Sequence, residues 1–92
     1  MEIKVYATLR PIVGGPSVQL NGVSEITVEQ MLDKLYSIYP DLHPELHKGR
    51  DDLHPAIHIL VNGRDMRYLD GKNTILTPND EIRIFPPVGG GR

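Results

Sequence analysis

Thr27–Tyr39, with the sequence TVEQMLDKLYSIY, is the one long amphipathic segment of this chain. Thr27 and Gln30 have the Thr-x-x-Gln spacing of a capping box, in which the two residues bond each other's backbone N–H groups. Apolar residues recur at i, i+3, i+4 and i+7 spacing, at Val28, Met31, Leu32, Leu35 and Tyr39. The segment therefore predicts a helix that begins at Val28, buries one face and ends before Pro40.

Alternating apolar and polar residues predict strands on both sides of this helix. The predicted strands are Met1–Thr8, Ser17–Leu20, Ala56–Val61, a brief return over Arg64–Leu69, and Glu81–Phe85. The strongest of them ends at Asn62-Gly63, a dipeptide typical of tight hairpin turns. Leu9–Pro16 is turn-rich, and its Gly14-Gly15 pair lacks the lysine and the helix start of a phosphate-binding loop.

One helix can cover only one face of a sheet, so these elements predict an α+β fold of the β-grasp type. We expect a mixed sheet of four to five strands over residues 1–85, with one main helix on one face. Alternation directs seven side chains inward, namely Ile3, Val5, Ile57, Ile59, Val61, Ile82 and Ile84. It leaves the other face open, with Lys4, Tyr6, His58, Leu60, Arg83 and Phe85.

Three apolar or aromatic residues of the open face, Tyr6, Leu60 and Phe85, can cluster where the chain leaves the sheet. Single exposed apolar residues are common on proteins, whereas a cluster suggests a protein-binding patch. We therefore predict a partner-binding surface formed by Phe85, Leu60, Tyr6 and Arg83. An ordinary sheet surface, or one covered by a loop, is the alternative.

Residues 86–92, Pro-Pro-Val-Gly-Gly-Gly-Arg, follow the last predicted strand directly. Proline cannot donate a ladder hydrogen bond and glycine has no side chain to bury. We expect a flexible tail in which Pro87, Val88 and Gly89 lead to Gly90 and Gly91. The four residues from Val88 to Gly91 could extend about 13 Å, into a narrow channel. A frayed terminus or a linker has the same composition.

The composition limits the classes of function. The 92 residues, 39% of them hydrophobic, suit one small domain. The net charge is −2 and the ten basic residues are scattered, so we expect neither nucleic-acid nor membrane binding. The chain has no apolar run of membrane length and no signal-peptide pattern, which favours the cytoplasm. It has no cysteine, which excludes disulfides and thiol nucleophiles.

Two pairs of histidines, His43 with His47 and His54 with His58, are spaced four residues apart. On a helix this spacing can place two imidazoles on one metal ion. A proline interrupts each pair, so we interpret them as solvated or lightly packed and predict no metal site. The polar segment Pro40–Leu53 is expected to be surface structure with one short turn around Glu45–Lys48.

Ile82–Gly91, with the sequence IRIFPPVGGG, resembles the last strand, the Pro-Pro-Val segment and the terminal Gly-Gly of the MoaD/ThiS family of ubiquitin-like sulfur carriers. The resemblance covers essentially the whole chain. Thr8–Pro11 with Gly14-Gly15, and His58–Arg67, are similar to segments of the CysO-type carriers of cysteine biosynthesis.

The resemblance implies a protein co-substrate without catalytic residues or bound cofactor. In this family an E1-like activating enzyme uses ATP to adenylate the terminal glycine carboxylate, which then becomes a thiocarboxylate. Gly91, preceded by Gly90, would carry the sulfur. In the cysteine branch the implied partners are a pyridoxal-phosphate-dependent cysteine synthase and a JAMM-type metalloprotease. Synthesis of molybdopterin, thiamine or thiolated tRNA is another implied destination.

Arg92 departs from the family pattern, which usually ends at Gly-Gly. We predict that a protease removes Arg92 before activation. Two other functions stay open at this point. One is a ubiquitin-like modifier joined through Gly91 to protein lysines, and the other is the small subunit of molybdopterin synthase.

Overall fold

The computed structural model describes residues 1–49 and 52–87. In chain order, the described elements are β1 (Glu2–Val5), α1 (Leu9–Val13), β2 (Ser17–Gln19), β3 (Ile26–Thr27), α2 (Val28–Ile38), α3 (Leu42–Leu46), β4 (His47–Lys48), β5 (Asp52–Leu53), β6 (His58–Val61), β7 (Arg64–Asp65), β8 (Ile75–Leu76) and β9 (Ile82–Phe85). Two short 3-10 helices, Met66–Tyr68 and Gly71–Asn73, connect β7 to β8.

Five strands form one mixed sheet in the order β2-β1-β9-β6-β7. The last strand, β9, lies parallel to β1 and antiparallel to β6. β2 pairs antiparallel with β1, and β7 pairs antiparallel with β6. The two-stranded pairs β3–β8 and β4–β5 are separate from this sheet. The mixed sheet of the β-grasp prediction is therefore confirmed, with the final strand at its centre.

The helix α2 begins and ends as predicted. The Thr27 hydroxyl accepts a hydrogen bond from the Gln30 backbone N–H at 3.1 Å, and the Thr27 N–H donates to Gln30 Oε1 at 2.9 Å. Together they satisfy two backbone donors at the start of the helix, where no intrahelical acceptor exists. The helix ends at Ile38, two residues before Pro40. It presents four buried residues to the core, Val28, Met31, Leu32 and Leu35.

The core lies between α2 and one face of the sheet. All seven side chains that alternation directs inward are buried, and they join the buried residues of α2 in one hydrophobic cluster. Burial of apolar area at about 25 cal/mol per Å² is the main source of stability for a domain of this size. The opposite face of the sheet carries the alternate set of side chains and is not covered by α2.

The hairpin between β6 and β7 turns at Asn62-Gly63, as the sequence predicts. Asn62 and Gly63 have φ angles of 53° and 85°, the left-handed pair that a type I′ turn requires. The turn places Val61 opposite Arg64. The predicted return strand is confirmed, but it is only two residues long because the chain enters a 3-10 helix at Met66.

The prediction that Leu9–Pro16 is only a turn was wrong. Leu9 to Val13 form α1, and Leu9 is fully buried. Pro11 is tolerated because it lies in the first turn, where N–H groups have no intrahelical acceptor. Gly14 ends the helix with a left-handed φ of 82°, and its N–H donates to the Arg10 carbonyl at 2.9 Å.

The prediction of surface structure across Pro40–Leu53 was also incomplete. Leu42 to Leu46 form α3, and both of its terminal leucines are buried in the core. Pro44 again lies in the first helical turn, where it does not break the helix. The four-residue spacing of the two leucines was the sequence signal for a buried helix face.

Two predicted strands are shorter than expected. β1 ends at Val5 rather than Thr8, because Ala7 takes a left-handed φ of 54° and turns the chain into α1. β6 begins at His58 rather than Ala56, and the Ile57 carbonyl that precedes it accepts a hydrogen bond from the Arg67 guanidinium at 2.6 Å.

We predict that Leu46→Ala lowers the free energy of unfolding by about 2–5 kcal/mol, because it leaves a cavity in the core. Ile38→Ala is the control, since Ile38 is 54% exposed at the end of α2. Urea denaturation of both variants measures the difference. Equal losses for the two variants would show that α3 does not pack on the core.

Candidate functional site

The predicted partner-binding residues lie together on the open face of the sheet. Strand register places Lys4 and Leu60 on either side of Arg83, and places His58 opposite Phe85. Tyr6 follows β1 and stacks on Phe85, with ring centroids 4.2 Å apart and ring planes 7° apart. Tyr6, Leu60, Arg83 and Phe85 are all half-buried. The structure thus places these four side chains together on one face, and their role in partner binding stays a prediction.

Arg10 is a further residue of this surface, which the sequence pattern did not indicate. α1 brings its guanidinium over the Tyr6 ring, with Cζ 4.9 Å from the ring centroid. Arg10 Nε also donates a hydrogen bond to the Val5 carbonyl at 2.9 Å. The Arg10 guanidinium, the Tyr6 ring and the Phe85 ring therefore form one stack. Phe85 is the residue directly before Pro86. Cation–π contacts of this kind favour Arg over Lys.

Charged side chains surround the aromatic stack. Glu81 lies 3.2 Å from Arg83 and 3.9 Å from Lys4, so one carboxylate is shared by two cations. All three side chains are more than a third exposed, so solvent screening makes these pairs weak in energy. The alternation of β1 and β9, rather than these pairs, places Lys4 and Arg83 on the open face.

A second group of polar side chains flanks Phe85 on the β6 side. Asp65 Oδ2 lies 2.9 Å from His58 Nδ1 and 3.2 Å from Arg67 Nη1. Burial alone would raise the pKa of the Asp65 carboxyl. Hydrogen bonds from the Arg67 backbone N–H and the His58 ring, with the charges of both side chains, outweigh burial and hold that pKa below its usual value. An ionised Asp65 accepts only, so it fixes the His58 proton on Nδ1.

A further polar cluster fixes the start of β9. Asp80 accepts hydrogen bonds from Asn62 Nδ2 at 3.0 Å and from the Thr77 backbone N–H at 2.7 Å. Asn62 Oδ1 in turn accepts from the Glu81 N–H at 2.9 Å. We call Asn62, Thr77 and Asp80 the β9 clamp. Burial opposes ionisation of Asp80, but the hydrogen bonds from Thr77 and Asn62 hold its pKa below the usual value.

The histidines His43 and His47 pack against each other with ring centroids 3.9 Å apart. Tyr36 Oη lies 2.7 Å from His47 Nε2. Burial, with a smaller contribution from the charge of Asp33, raises the pKa of Tyr36 well above its usual value. Across residues 1–49 and 52–87, no group of three or more His, Cys, Asp or Glu side chains could hold a metal ion. We interpret these two histidines as packed side chains.

The predicted tail is only partly described. Pro86 is buried and Pro87 is half-buried, so the two prolines lie against the domain. The residues predicted to extend and to carry sulfur, Val88, Gly89, Gly90 and Gly91, lie outside the described part of the chain. None of the helices that the structure describes is long and apolar enough to span a membrane.

Comparison with known proteins connects this geometry to a family. A family model described as the ThiS family matches residues 3–91. The chain belongs to the ThiS family. It is 34% identical over 91 residues to small archaeal modifier protein 3 of Haloferax volcanii, covering 99% of this chain and 98% of that one. It is 32% identical over 93 residues to sulfur carrier protein CysO of Mycobacterium tuberculosis, covering 99% and 98%.

A solved structure supports the same assignment. The solution structure of small archaeal modifier protein 1 from Methanosarcina acetivorans superimposes with a TM-score of 0.82 at 36% identity, and the match covers 98% of this chain and 94% of that one. The chain is thus a ubiquitin-like β-grasp protein, and the resemblance to the ThiS family of sulfur carriers is confirmed.

We predict that Asp80→Asn lowers the free energy of unfolding at neutral pH by roughly 1–3 kcal/mol. The amide has only one acceptor oxygen, so its NH2 group would face either the Asn62 NH2 or the Thr77 N–H, both of which donate to Asp80 in the native chain. The native carboxylate has a lowered pKa, so it stabilises the fold above about pH 3.9 and loses this effect as pH falls through its lower folded value. The difference in the free energy of unfolding between wild type and Asp80→Asn should therefore become smaller as the pH falls.

Urea unfolding at several pH values measures this gap. Asp41→Asn is the control, since the exposed Asp41 side chain makes no capping hydrogen bond. A gap that stays constant from neutral pH to well below pH 3.9 would contradict the assigned role of the Asp80 charge.

Proposed function

We propose that this chain is a sulfur carrier whose Gly91 carboxylate is adenylated and converted to a thiocarboxylate. The observation that supports it most is the match of the family model, which continues past the sheet and ends at residue 91. The sulfur carrier among the relatives covers nearly the whole chain at 32% identity. The catalytic groups would belong to partner enzymes, with this chain as their protein co-substrate.

The chemistry requires two steps at the tail. A Gly91 carboxylate oxygen attacks the α-phosphorus of ATP, which forms the acyl adenylate and releases pyrophosphate. A hydrosulfide equivalent supplied by a partner then attacks the acyl carbon, and AMP leaves with the oxygen. Glycine suits both steps, since it has no side chain to obstruct the carbonyl or the walls of a narrow channel. Since ATP is consumed, we propose the cytoplasm as the compartment.

The proposed docking surface for the partners is the open face, centred on Tyr6, Leu60 and Phe85. Its aromatic stack lies at the end of β9, so an enzyme bound there would also have the tail within its reach. We propose an E1-like adenylating enzyme as the first partner. A sulfur-accepting enzyme, such as a pyridoxal-phosphate-dependent cysteine synthase, and a JAMM-type metalloprotease are proposed as later ones. The CysO relative supports the cysteine pathway in particular.

Arg92 blocks this chemistry as long as it is attached, because Gly91 then has an amide and no free carboxylate. We propose that a protease removes Arg92 before activation. The end of the family match at residue 91 supports this position for the cleavage.

A ubiquitin-like modifier is the second candidate function. The relatives from Haloferax volcanii and Methanosarcina acetivorans are named as small archaeal modifier proteins, and both are at least 34% identical to this chain. Conjugation would use the same Gly91 adenylate, with a lysine amine of another protein in place of the sulfur nucleophile. Mass spectrometry of cell extracts separates the two functions by detecting a thiocarboxylate or isopeptide-linked adducts.

We predict that residues 1–91 release pyrophosphate when incubated with ATP and the adenylating enzyme, whereas the chain that retains Arg92 does not. Within residues 1–91, Gly91→Val should abolish the reaction because a branched side chain obstructs the carbonyl. Gly15→Val is the control, since an added Cβ at Gly15 meets no atom within 4 Å. Equal activity with and without Arg92 would refute the cleavage, and no activity in either form would refute the carrier.

We predict that Phe85→Ala weakens binding to the adenylating enzyme by roughly 1–3 kcal/mol, as expected for an aromatic anchor at the centre of an interface. Ile75→Ala is the control, because Ile75 is 55% exposed on β8, outside the five-stranded sheet. Calorimetric titration measures both affinities. An unchanged affinity for Phe85→Ala would mean that the open face is not the docking surface.

A further inference from the structure

Arg10 is held in a fixed position beside the aromatic stack. Its Nε–H donates to the Val5 carbonyl at 2.9 Å, and its Cζ lies over the Tyr6 ring, 4.9 Å from the centroid. The helix α1 supports this position through Leu9, which is fully buried next to it. A hydrogen bond, a ring contact and a buried neighbour together restrict a side chain that is usually mobile.

The hydrogen-bonding capacity of Arg10 is mostly unused. A guanidinium has five N–H donors, and only the Nε donor of Arg10 has an acceptor among the described residues. None of the ion pairs formed by the described residues includes Arg10. The side chain is exposed, so its two Nη groups are available to a ligand.

The other two arginines of this surface differ from Arg10. Arg67 donates through its Nη groups to Asp65 and to the carbonyls of Pro55 and Ile57. Arg83 donates to Glu81 at 3.2 Å. Both therefore have acceptors within the chain, whereas the Nη groups of Arg10 have none within its described part.

The charge around the stack is opposite to that of the whole chain. Four cationic side chains, Lys4, Arg10, Arg67 and Arg83, lie on or beside the open face with three carboxylates, Glu2, Asp65 and Glu81. The whole chain carries a net charge of −2. The open face is thus locally cationic on an acidic protein, which favours a partner with an acidic rim around an apolar centre.

We propose that Arg10 binds the carboxylate of an Asp or Glu side chain on the adenylating enzyme and so determines which enzyme the carrier docks with. The inference rests on the proposed function, because it takes the open face as the docking surface. A planar, pre-positioned guanidinium can bind a carboxylate through two parallel N–H···O bonds, which a lysine cannot. Little conformational freedom is lost on binding because the side chain is already held.

The test uses the full chain and the adenylating enzyme of the same organism, with affinity measured by calorimetric titration at several salt concentrations. Arg10→Ala should weaken binding about tenfold or more and reduce its salt dependence. Arg10→Lys keeps the charge and the aliphatic stem, and should recover only part of the affinity. Arg64→Ala is the control, because Arg64 is exposed on the hairpin side of β7 and lies outside the proposed contact.

Two outcomes would overturn the inference directly. The first is an affinity for Arg10→Ala equal to that of wild type. The second is full recovery by Arg10→Lys, which would show that a point charge is sufficient. Thermal unfolding curves check that each variant is folded. If Arg10→Ala does not fold, the affinity of Arg10→Lys compared with that of wild type still tests the inference.

The outcomes also separate this inference from the proposed function. Binding that depends on Arg10 without any adenylation of residues 1–91 would support the inference and refute the carrier. Adenylation of residues 1–91 with an affinity that Arg10→Ala does not change would support the carrier and refute the inference about Arg10. If sedimentation shows a wild-type dimer that Arg10→Ala dissociates, the carboxylate belongs to a second copy of this chain, and the assignment to an enzyme is wrong.

Discussion

The parallel pairing of β1 with β9 is the interaction on which the rest of the structure depends. It joins Ile3 to Ile82 and Val5 to Ile84, from opposite ends of the described chain. β6 pairs with the other side of β9. Within the five-stranded sheet, β1 and β6 are therefore joined through β9. Contacts of such high sequence separation require closure of a long loop before they contribute stability. The clamp of Asn62, Thr77 and Asp80 assists by fixing where β9 begins.

The same arrangement suits the proposed role of the chain as a carrier on which partner enzymes act. A central strand leaves the sheet in the middle of one surface, so the residues after Phe85 begin beside the aromatic stack rather than at the periphery. The helix α2 covers the other face, which leaves the open face and the start of the tail accessible to the same partner. The proposed docking surface and the start of the proposed tail are thus adjacent, although they consist of different residues.

Much of this could be predicted from the sequence, because the strands alternate and α2 has a clear capping box. Alternation was sufficient to assign the seven inward side chains and the open-face residues Tyr6, Leu60, Arg83 and Phe85. The helices α1 and α3 were missed because the first lies in a segment rich in turn residues and the second contains Pro44, although proline in a first helical turn removes no hydrogen bond. Arg10 was missed for the same reason, since only α1 brings it to Tyr6.

The two outer strands of the sheet, β2 and β7, are three and two residues long. A long, flat outer strand exposes unpaired backbone groups that can template the addition of another chain, and short ones limit this. A protein that must leave one face of its sheet uncovered is therefore protected against stacking strand by strand into aggregates. The open face can therefore stay uncovered at high protein concentration without copies of the chain joining edge to edge, which the proposed binding of successive enzymes requires.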